Sequence, residues 1–297
     1  MRTVAFLGLG IMGAPMAVNL LRAGFDVVGY NRSRAKVDAF VAAGGRGADS
    51  IAEAVAGADV VVTMLPDSPD VRDVMFADDG VLAHTAAGAL LVDCSTIRPD
   101  VAREVAESSA ARGVRALDAP VSGGEQGAID GKLSIMVGGA DADFAAARPV
   151  LDAMGTTVVH VGPAGSGQTV KAANQLIVAG NIQLVAEAVV FLEAHGVDTD
   201  SAVRVLGGGL AGSKVLEVKG AGMTGRTFTP GFRAELHHKD LGILTSAARD
   251  AGTATPLGAV VAQLMGALVA QGHGELDHSA LIKLVEQLSA PPSADTP

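Results

Sequence analysis

A short β-branched run, Val4 to Leu7, leads without a break into Gly8-Leu9-Gly10-Ile11-Met12-Gly13 and then into a helical stretch ending near Ala23. Strand, glycine turn and helix in that order restrict the fold, because each glycine of a G-x-G-x-x-G turn has its own steric task. Gly8 permits the tight turn out of the strand. Gly10 lets backbone amides approach a ligand, and Gly13 lets the helix pack closely on the strand. The helix start offers N–H groups and partial positive charge, which suits a pyrophosphate. In a chain with 38 glycines the pattern alone says little. Its place between strand and helix makes it a predicted dinucleotide site.

The rest of the first half keeps the same rhythm. Val27 to Tyr30, Val60 to Met64, Leu90 to Asp93 and Arg115 to Asp118 read as strands. Ala35 to Ala43, Ser50 to Ala56, Ser68 to Met75 and Pro99 to Arg112 read as the helices between them. Such alternation predicts a parallel sheet covered by helices on both faces, and the unbroken apolar run at Val60 suits a strand buried on both sides. Two more strands, Leu133 to Val137 and Thr157 to His160, flank a helix over Asp141 to Met154. Beyond Gly167 no strand pattern remains. Val170 to His195 predicts a helix of about 26 residues, or roughly 39 Å. The expectation is a Rossmann α/β domain over 1–163 and an all-α domain over 164–297, parted at the Gly162-Pro163-Ala164-Gly165 loop. The Pro- and Ser-rich tail, Ala290 to Pro297, reads as frayed.

Composition narrows the function. Hydrophobic residues make up 49% and charged residues 18%, enough to fill two cores and too apolar for a disordered chain. A formal charge of -10 repels nucleic-acid phosphates and anionic bilayers, so neither partner is expected. The apolar stretch from Gln175 to Leu192 is broken by Asn181, Gln183 and Glu187, which argues against a membrane span. The lone Cys94 cannot form an internal disulfide, and the N-terminus lacks a signal-peptide pattern; both point to the cytoplasm. His160, His195, His273 and His278 have no metal-like spacing, HExxH and CxxC are absent, and no metal is expected. Asp67, Asp70 and Asp73 read as a solvated helix face, and Cys94 as a small buried residue.

The second strand ends Gly29-Tyr30-Asn31-Arg32-Ser33. A carboxylate at this point would accept the ribose 2′-hydroxyl of NAD. Asn31 lacks that charge and Arg32 can pair with a 2′-phosphate, so NADP is the expected cofactor, with NAD as the other choice.

Several segments resemble the β-hydroxyacid dehydrogenases: GLGIMGAPMAVNL from Gly8, Met64-Leu65-Pro66, Asp93-Cys94-Ser95-Thr96, Asp118-Ala119-Pro120-Val121-Ser122-Gly123-Gly124, and Gly167-x-x-x-Lys171-x-x-Asn174-Gln175. The resemblance spans about residues 2 to 289, in order. It implies a helical second domain of the 6-phosphogluconate dehydrogenase C-terminal type. Further segments resemble the branch that reduces tartronate semialdehyde to D-glycerate: Gly207 to Ser213, Pro230 to Arg233, Leu236 to Leu241 and Asp277 to Leu281. Dehydrogenation of 3-hydroxyisobutyrate, or broad reduction of short semialdehydes and glyoxylate, shares the core motifs and stays open. A dinucleotide module without catalysis would leave the Lys171 and Asn174 pair without purpose. An imine reductase usually lacks the lysine. Family members that favour NAD commonly carry Asp near position 31, so Asn31 and Arg32 depart from that pattern.

Reducing an aldehyde needs a hydride donor, an acid for the developing alkoxide and a grip on the substrate. The resemblance gives the acid to Lys171, with an ammonium pKa lowered by partial burial, and has Asn174, one turn on, orient the oxygen. Ser122, Gly123 and Gly124 suit a carboxylate, through a hydroxyl and exposed amides. The resemblance further assigns cofactor contacts to Leu65, Pro66, Ser95, Thr96, Phe232 and Lys239, beside Gly8 to Gly13. It places Gly212 and Ser213 at the substrate. The apolar helical half predicts a homodimer or homotetramer.

Overall fold

A computed structural model describes residues 2–289, so the tail from Ala290 lies outside the described residues. The chain forms two compact units that divide after Lys171. That division falls inside a helix, whereas the change in sequence pattern sits at Gly162 to Gly165.

The first unit alternates β1 (Thr3–Leu7), α1 (Gly13–Arg22), β2 (Asp26–Tyr30), α2 (Arg34–Ala42), β3 (Arg46–Gly47), α3 (Ile51–Val55), β4 (Val60–Thr63), α4 (Ser68–Phe76), α5 (Val81–His84), β5 (Leu90–Asp93), α6 (Pro99–Ala110) and β6 (Arg115–Asp118). There follow β7 (Val121–Ser122), α7 (Gly124–Ile129), β8 (Leu133–Gly138), α8 (Asp141–Asp152) and β9 (Gly155–Gly162). The sheet order is β3-β2-β1-β4-β5-β6-β8-β7, with β9 on β8. From β1 to β6 every pairing is parallel. The period of two shows in the burial: Val4, Phe6, Val60, Val62, Leu90 and Val92 face one core, Ala5, Leu7, Val61 and Leu91 the other. Each such side chain contributes roughly 1.5–3 kcal/mol of burial.

The parallel expectation fails at one edge. There β8 runs antiparallel to β6 and β7, because the short α7 joins β7 to β8 as a hairpin-like connection instead of a full crossover. The very short β3, α5 and β7 leave too few residues for a visible pattern.

The second unit takes up α9 (Ser166–Ala194) and continues with α10 (Thr199–Gly207), α11 (Lys214–Thr224), α12 (Ala234–Asp250), α13 (Pro256–Leu268) and α14 (Ile282–Ser289). Its core joins Ala179, Ile182, Ala186 and Val189 of α9 to Met223, Leu241, Leu244, Val261, Met265 and Leu281. By length and composition alone α9 could cross a membrane. In this fold its Gln168, Lys171, Gln175 and Gln183 are buried, as polar residues of a core helix are. The helix starts at Ser166, earlier than its apolar pattern at Val170. A Cβ on Gly167 would lie 2.3 Å from Met136 O, so this glycine serves close approach within the first turn and is no sign of a loop.

Candidate active site

The glycine turn has the geometry its sequence requires. Gly8 adopts φ +100, and a Cβ there would lie 2.2 Å from Met64 O. A Cβ on Gly13 would meet Gly8 O at 1.9 Å, whereas one on Gly10 would meet nothing within 4 Å. Gly8 and Gly13 are therefore demanded by packing, and Gly10 faces open space where a ligand can approach. Met12, at the cap of α1, supplies no side-chain hydrogen bond, and the first turn holds no acidic residue. Ala14 N donates to Gly10 O at 3.0 Å and Met16 N to Met12 O at 3.3 Å, and Pro15 has no N–H, so an anion is approached through the turn that leads into the helix, which fits a dinucleotide's phosphates. Leu9 N donates to Asn31 Oδ1 at 3.1 Å, so Asn31 braces the turn. Ile11 and Arg32 are exposed; the Arg32 side chain is 82% exposed and lies 3.4 Å from Asp70.

Parallel pairing brings the ends of β1, β4, β5 and β6 to one edge, where an open α/β sheet binds ligands. Leu65 and Pro66 follow β4, Ser95 and Thr96 follow β5, and Ser122 to Gly124 follow β6. Thr63, Asp93 and Asp118 sit side by side in register. Thr63 Oγ1 donates to Asp93 Oδ1 at 2.7 Å, and Ser95 N to the same oxygen at 3.2 Å. Ser95 Oγ accepts from Leu65 N at 2.9 Å, so Ser95 braces the two strand-end loops against each other. Asp118 accepts from Gly165 N at 2.7 Å and Gln168 N at 2.9 Å, fixing the start of α9 on the end of β6. Burial pushes both carboxyls, Asp93 and Asp118, above their ordinary range, and it pushes the Cys94 thiol up as well. Lys171, 7% exposed, lies one turn into the helix that Asp118 anchors.

The helical unit holds the remaining candidates. Asn174 Nδ2 donates to Gln175 Oε1 at 2.7 Å, and Gln175 Nε2 donates to Asp240 Oδ2. Lys239 Nζ pairs with Asp240 Oδ1 at 2.9 Å. One polar chain thus joins Asn174 and Lys239. Ser213 Oγ caps α11 by accepting from Leu216 N at 3.0 Å and still has its O–H to donate; Gly212 precedes it. The Phe232 ring meets both His237 and His278 edge-on, with centroids 5.6 and 5.5 Å away. His237 and His278 approach Nδ1 to Nδ1 at 2.9 Å, hydrogen-bond distance for one ring to donate and the other to accept. Burial holds His278 down to about 3. Asp277 Oδ2 accepts from Lys219 Nζ at 2.7 Å, Gly231 N at 2.9 Å and Phe232 N at 3.2 Å. Among the described residues no group of three His, Cys, Asp or Glu could hold a metal.

Sequence reasoning gave no role to Gln168, Asp240, the histidine pair or the Asp277–Lys219 pair. Gln168 and Gln175 carried a usable signal: with Lys171 they are polar residues at i, i+3 and i+7, the spacing of a core-facing stripe.

Residues 3–162 match the NAD binding domain of 6-phosphogluconate dehydrogenase, and residues 165–285 match a domain described as NAD-binding of NADP-dependent 3-hydroxyisobutyrate dehydrogenase. An NAD-dependent L-serine dehydrogenase of Pseudomonas aeruginosa is 40% identical over 96% of this chain and 98% of its own. The 2-hydroxy-3-oxopropionate reductase of Escherichia coli is 39% identical, with the same coverage. The solved 3-hydroxyisobutyrate dehydrogenase of Mycobacterium tuberculosis with L-serine superposes with a TM-score of 0.87 at 38% identity, covering 98% of this chain and 100% of that one. The chain belongs to the β-hydroxyacid dehydrogenase family. It is an NAD(P)-dependent dehydrogenase acting on the hydroxyl groups of hydroxyacids.

Proposed function

We propose that this dehydrogenase reduces tartronate semialdehyde to D-glycerate, reversibly, with NADPH preferred over NADH. The observation that carries the reading is the buried Lys171, on a helix start anchored to the strand ends that carry the other candidates. When bound, the nicotinamide supplies the hydride. Lys171 Nζ stabilises the developing alkoxide and gives it a proton, and Asn174 orients the same oxygen. The Ser122 hydroxyl and the Gly123 and Gly124 amides hold the carboxylate. Gly212 and Ser213 contact substrate; Leu65, Pro66, Ser95, Thr96, Phe232 and Lys239 contact cofactor. Arg32, exposed and 3.4 Å from Asp70, would pair with the 2′-phosphate.

Glycerate, serine and 3-hydroxyisobutyrate share one skeleton, HOCH2–CHX–COO⁻, and differ only in X. The second reading, with X a methyl or ammonium group, is supported by the relatives above. A kcat/KM panel of tartronate, methylmalonate and succinate semialdehydes and glyoxylate with NADPH and NADH, and of D-glycerate and L-serine with NADP+ and NAD+, separates them. Tartronate semialdehyde with NADPH is expected to lead; a clear lead for methylmalonate semialdehyde or L-serine replaces the substrate and keeps the chemistry.

The chain is further proposed to act in the cytoplasm as a homodimer or homotetramer. Ile177, Leu184 and Phe191 stand exposed at a period of seven along α9, the repeat of a helix–helix seam. Leu257 and Val260 of α13 are exposed as well. Light scattering on the purified chain is expected to give two or four protomers, and a monomer refutes the assembly.

A further inference from the structure

Gln168 is 1% exposed and grips one loop twice. Its Nε2 donates to Ser95 O at 2.8 Å, and its Oε1 accepts from Ile97 N at 3.1 Å. Its own backbone N–H is held by Asp118. An apolar residue of the same length would fill the space, but it would strand a buried N–H and a buried C=O. The carboxamide is therefore placed to register two segments against each other. One is the first turn of α9. The other is the loop of Ser95 and Thr96, which Ser95 ties to Leu65 and to Asp93.

Lys171 follows Gln168 at i+3, on the same face of the helix. Two bonds to the loop fix how far the helix is rotated about its axis, and the Asp118 bonds fix how far it stands from β6. Both settings are passed on to Lys171, because a hydrogen-bonded helix turn moves as one piece. We propose that Gln168 is a positioning residue: it sets the Lys171 ammonium relative to the Ser95–Thr96 loop before any ligand arrives. The proposal rests on the reading of Lys171 as proton donor. It predicts a particular kinetic signature, since misplacing a catalytic group by about 1 Å costs on the order of 10²-fold in rate while leaving binding largely intact.

Gln168→Met keeps the shape and removes both side-chain bonds. It is expected to lower kcat about 10- to 100-fold, with KM for both substrates changed by less than about threefold, a split that general loosening of the fold would not give. Gln168→Glu retains an acceptor for Ile97 N but turns an ionised oxygen on Ser95 O. Its protonated form restores a donor there, so its kcat deficit relative to wild type is expected to shrink as pH falls; a deficit constant with pH overturns the proposal.

The deciding measurement is the double-mutant cycle with Lys171→Ala, in single-turnover hydride transfer. If Gln168 acts through Lys171, Gln168→Met costs little once Lys171 is gone. A full, additive loss in that background overturns the positioning role while leaving Lys171 as the acid. If Lys171→Ala itself keeps its rate, the reading of Lys171 is what fails.

Discussion

At the carboxyl end of the sheet, buried polar groups near the site are satisfied largely by backbone. Asp118 takes Gly165 N and Gln168 N, Asp93 takes Ser95 N, and the glycine turn is shaped by carbonyls 1.9 and 2.2 Å from absent Cβ atoms. In the helical unit the buried polar groups are also tied to one another through side chains far apart in sequence, with backbone N–H groups added at Asp277. Lys219 and Asp277 are 58 residues apart, His237 and His278 41, Gln175 and Asp240 65. A backbone solution constrains residue type at fixed spacing, so it leaves a motif. A side-chain solution constrains pairs, and a pair leaves no local trace.

The first consequence concerns the glycines and carries the largest expected effect. Gly13→Ala forces backbone apart, and it is expected to cost more than about 4 kcal/mol of stability along with dinucleotide binding. Gly10→Ala projects into open space and is expected to leave Tm unchanged while weakening dinucleotide affinity. Thermal unfolding and fluorescence titration of both variants check the division of labour; equal behaviour would break it.

Asp277→Ala probes the side-chain solution. It leaves the Lys219 ammonium and the backbone N–H groups of Gly231, Phe232 and Ser279 without their carboxylate, for about 3–5 kcal/mol. Urea unfolding measures it, and a loss below about 1 kcal/mol would show that the cluster is ornamental to stability.

Acid sharpens the contrast, because the two regions respond with opposite sign. The His278 imidazole is held at about 3, below the ordinary value near 6.5. Between these values the unfolded chain takes up a proton that the folded one refuses, so stability is lost as pH falls through that window. His237, Asp277 and Lys219 face this imidazole, and Asp277, itself held low, adds loss at still lower pH. Asp93 and Asp118 are raised: the folded state keeps those protons, so their contribution is lost as pH rises through the folded values and returns on acidification. Hydrogen exchange at pH 7 and pH 5, corrected for intrinsic rates, is expected to loosen α12 and the His278 turn before β5 and β6.

The smallest effect is at Arg32. Its exposed side chain is expected to contribute about fivefold in kcat/KM with NADPH, roughly 1 kcal/mol, and nothing with NADH. Arg32→Ala assayed with both cofactors checks this, and an equal loss with each removes Arg32 from cofactor choice.

The same contrast explains what the sequence made legible. The strands and helices up to β6 were readable because each carries its own period, and the glycine turn because only glycine fits Gly8 and Gly13. The antiparallel edge at β7 and β8 was not, since a two-residue strand shows no alternation. The start of α9 at Ser166 was not readable before Val170, because a glycine demanded by close approach, Gly167, reads the same as a glycine demanded by a turn. Lys171 and Asn174 are candidates because a motif carries them. Gln168 and Asp240 are buried polar residues whose partners are distant in sequence, so only the fold brings those partners near.

The central claim is that this hydroxyacid dehydrogenase delivers its proton from Lys171. Lys171→Ala, measured for kcat and for NADPH affinity on the same preparation, tests it most directly. The account expects kcat to fall by at least about 10²-fold with affinity unchanged, because the phosphates are held at Gly8 to Gly13. Retention of most of kcat with a loss of NADPH affinity would make Lys171 a binding residue and contradict the claim.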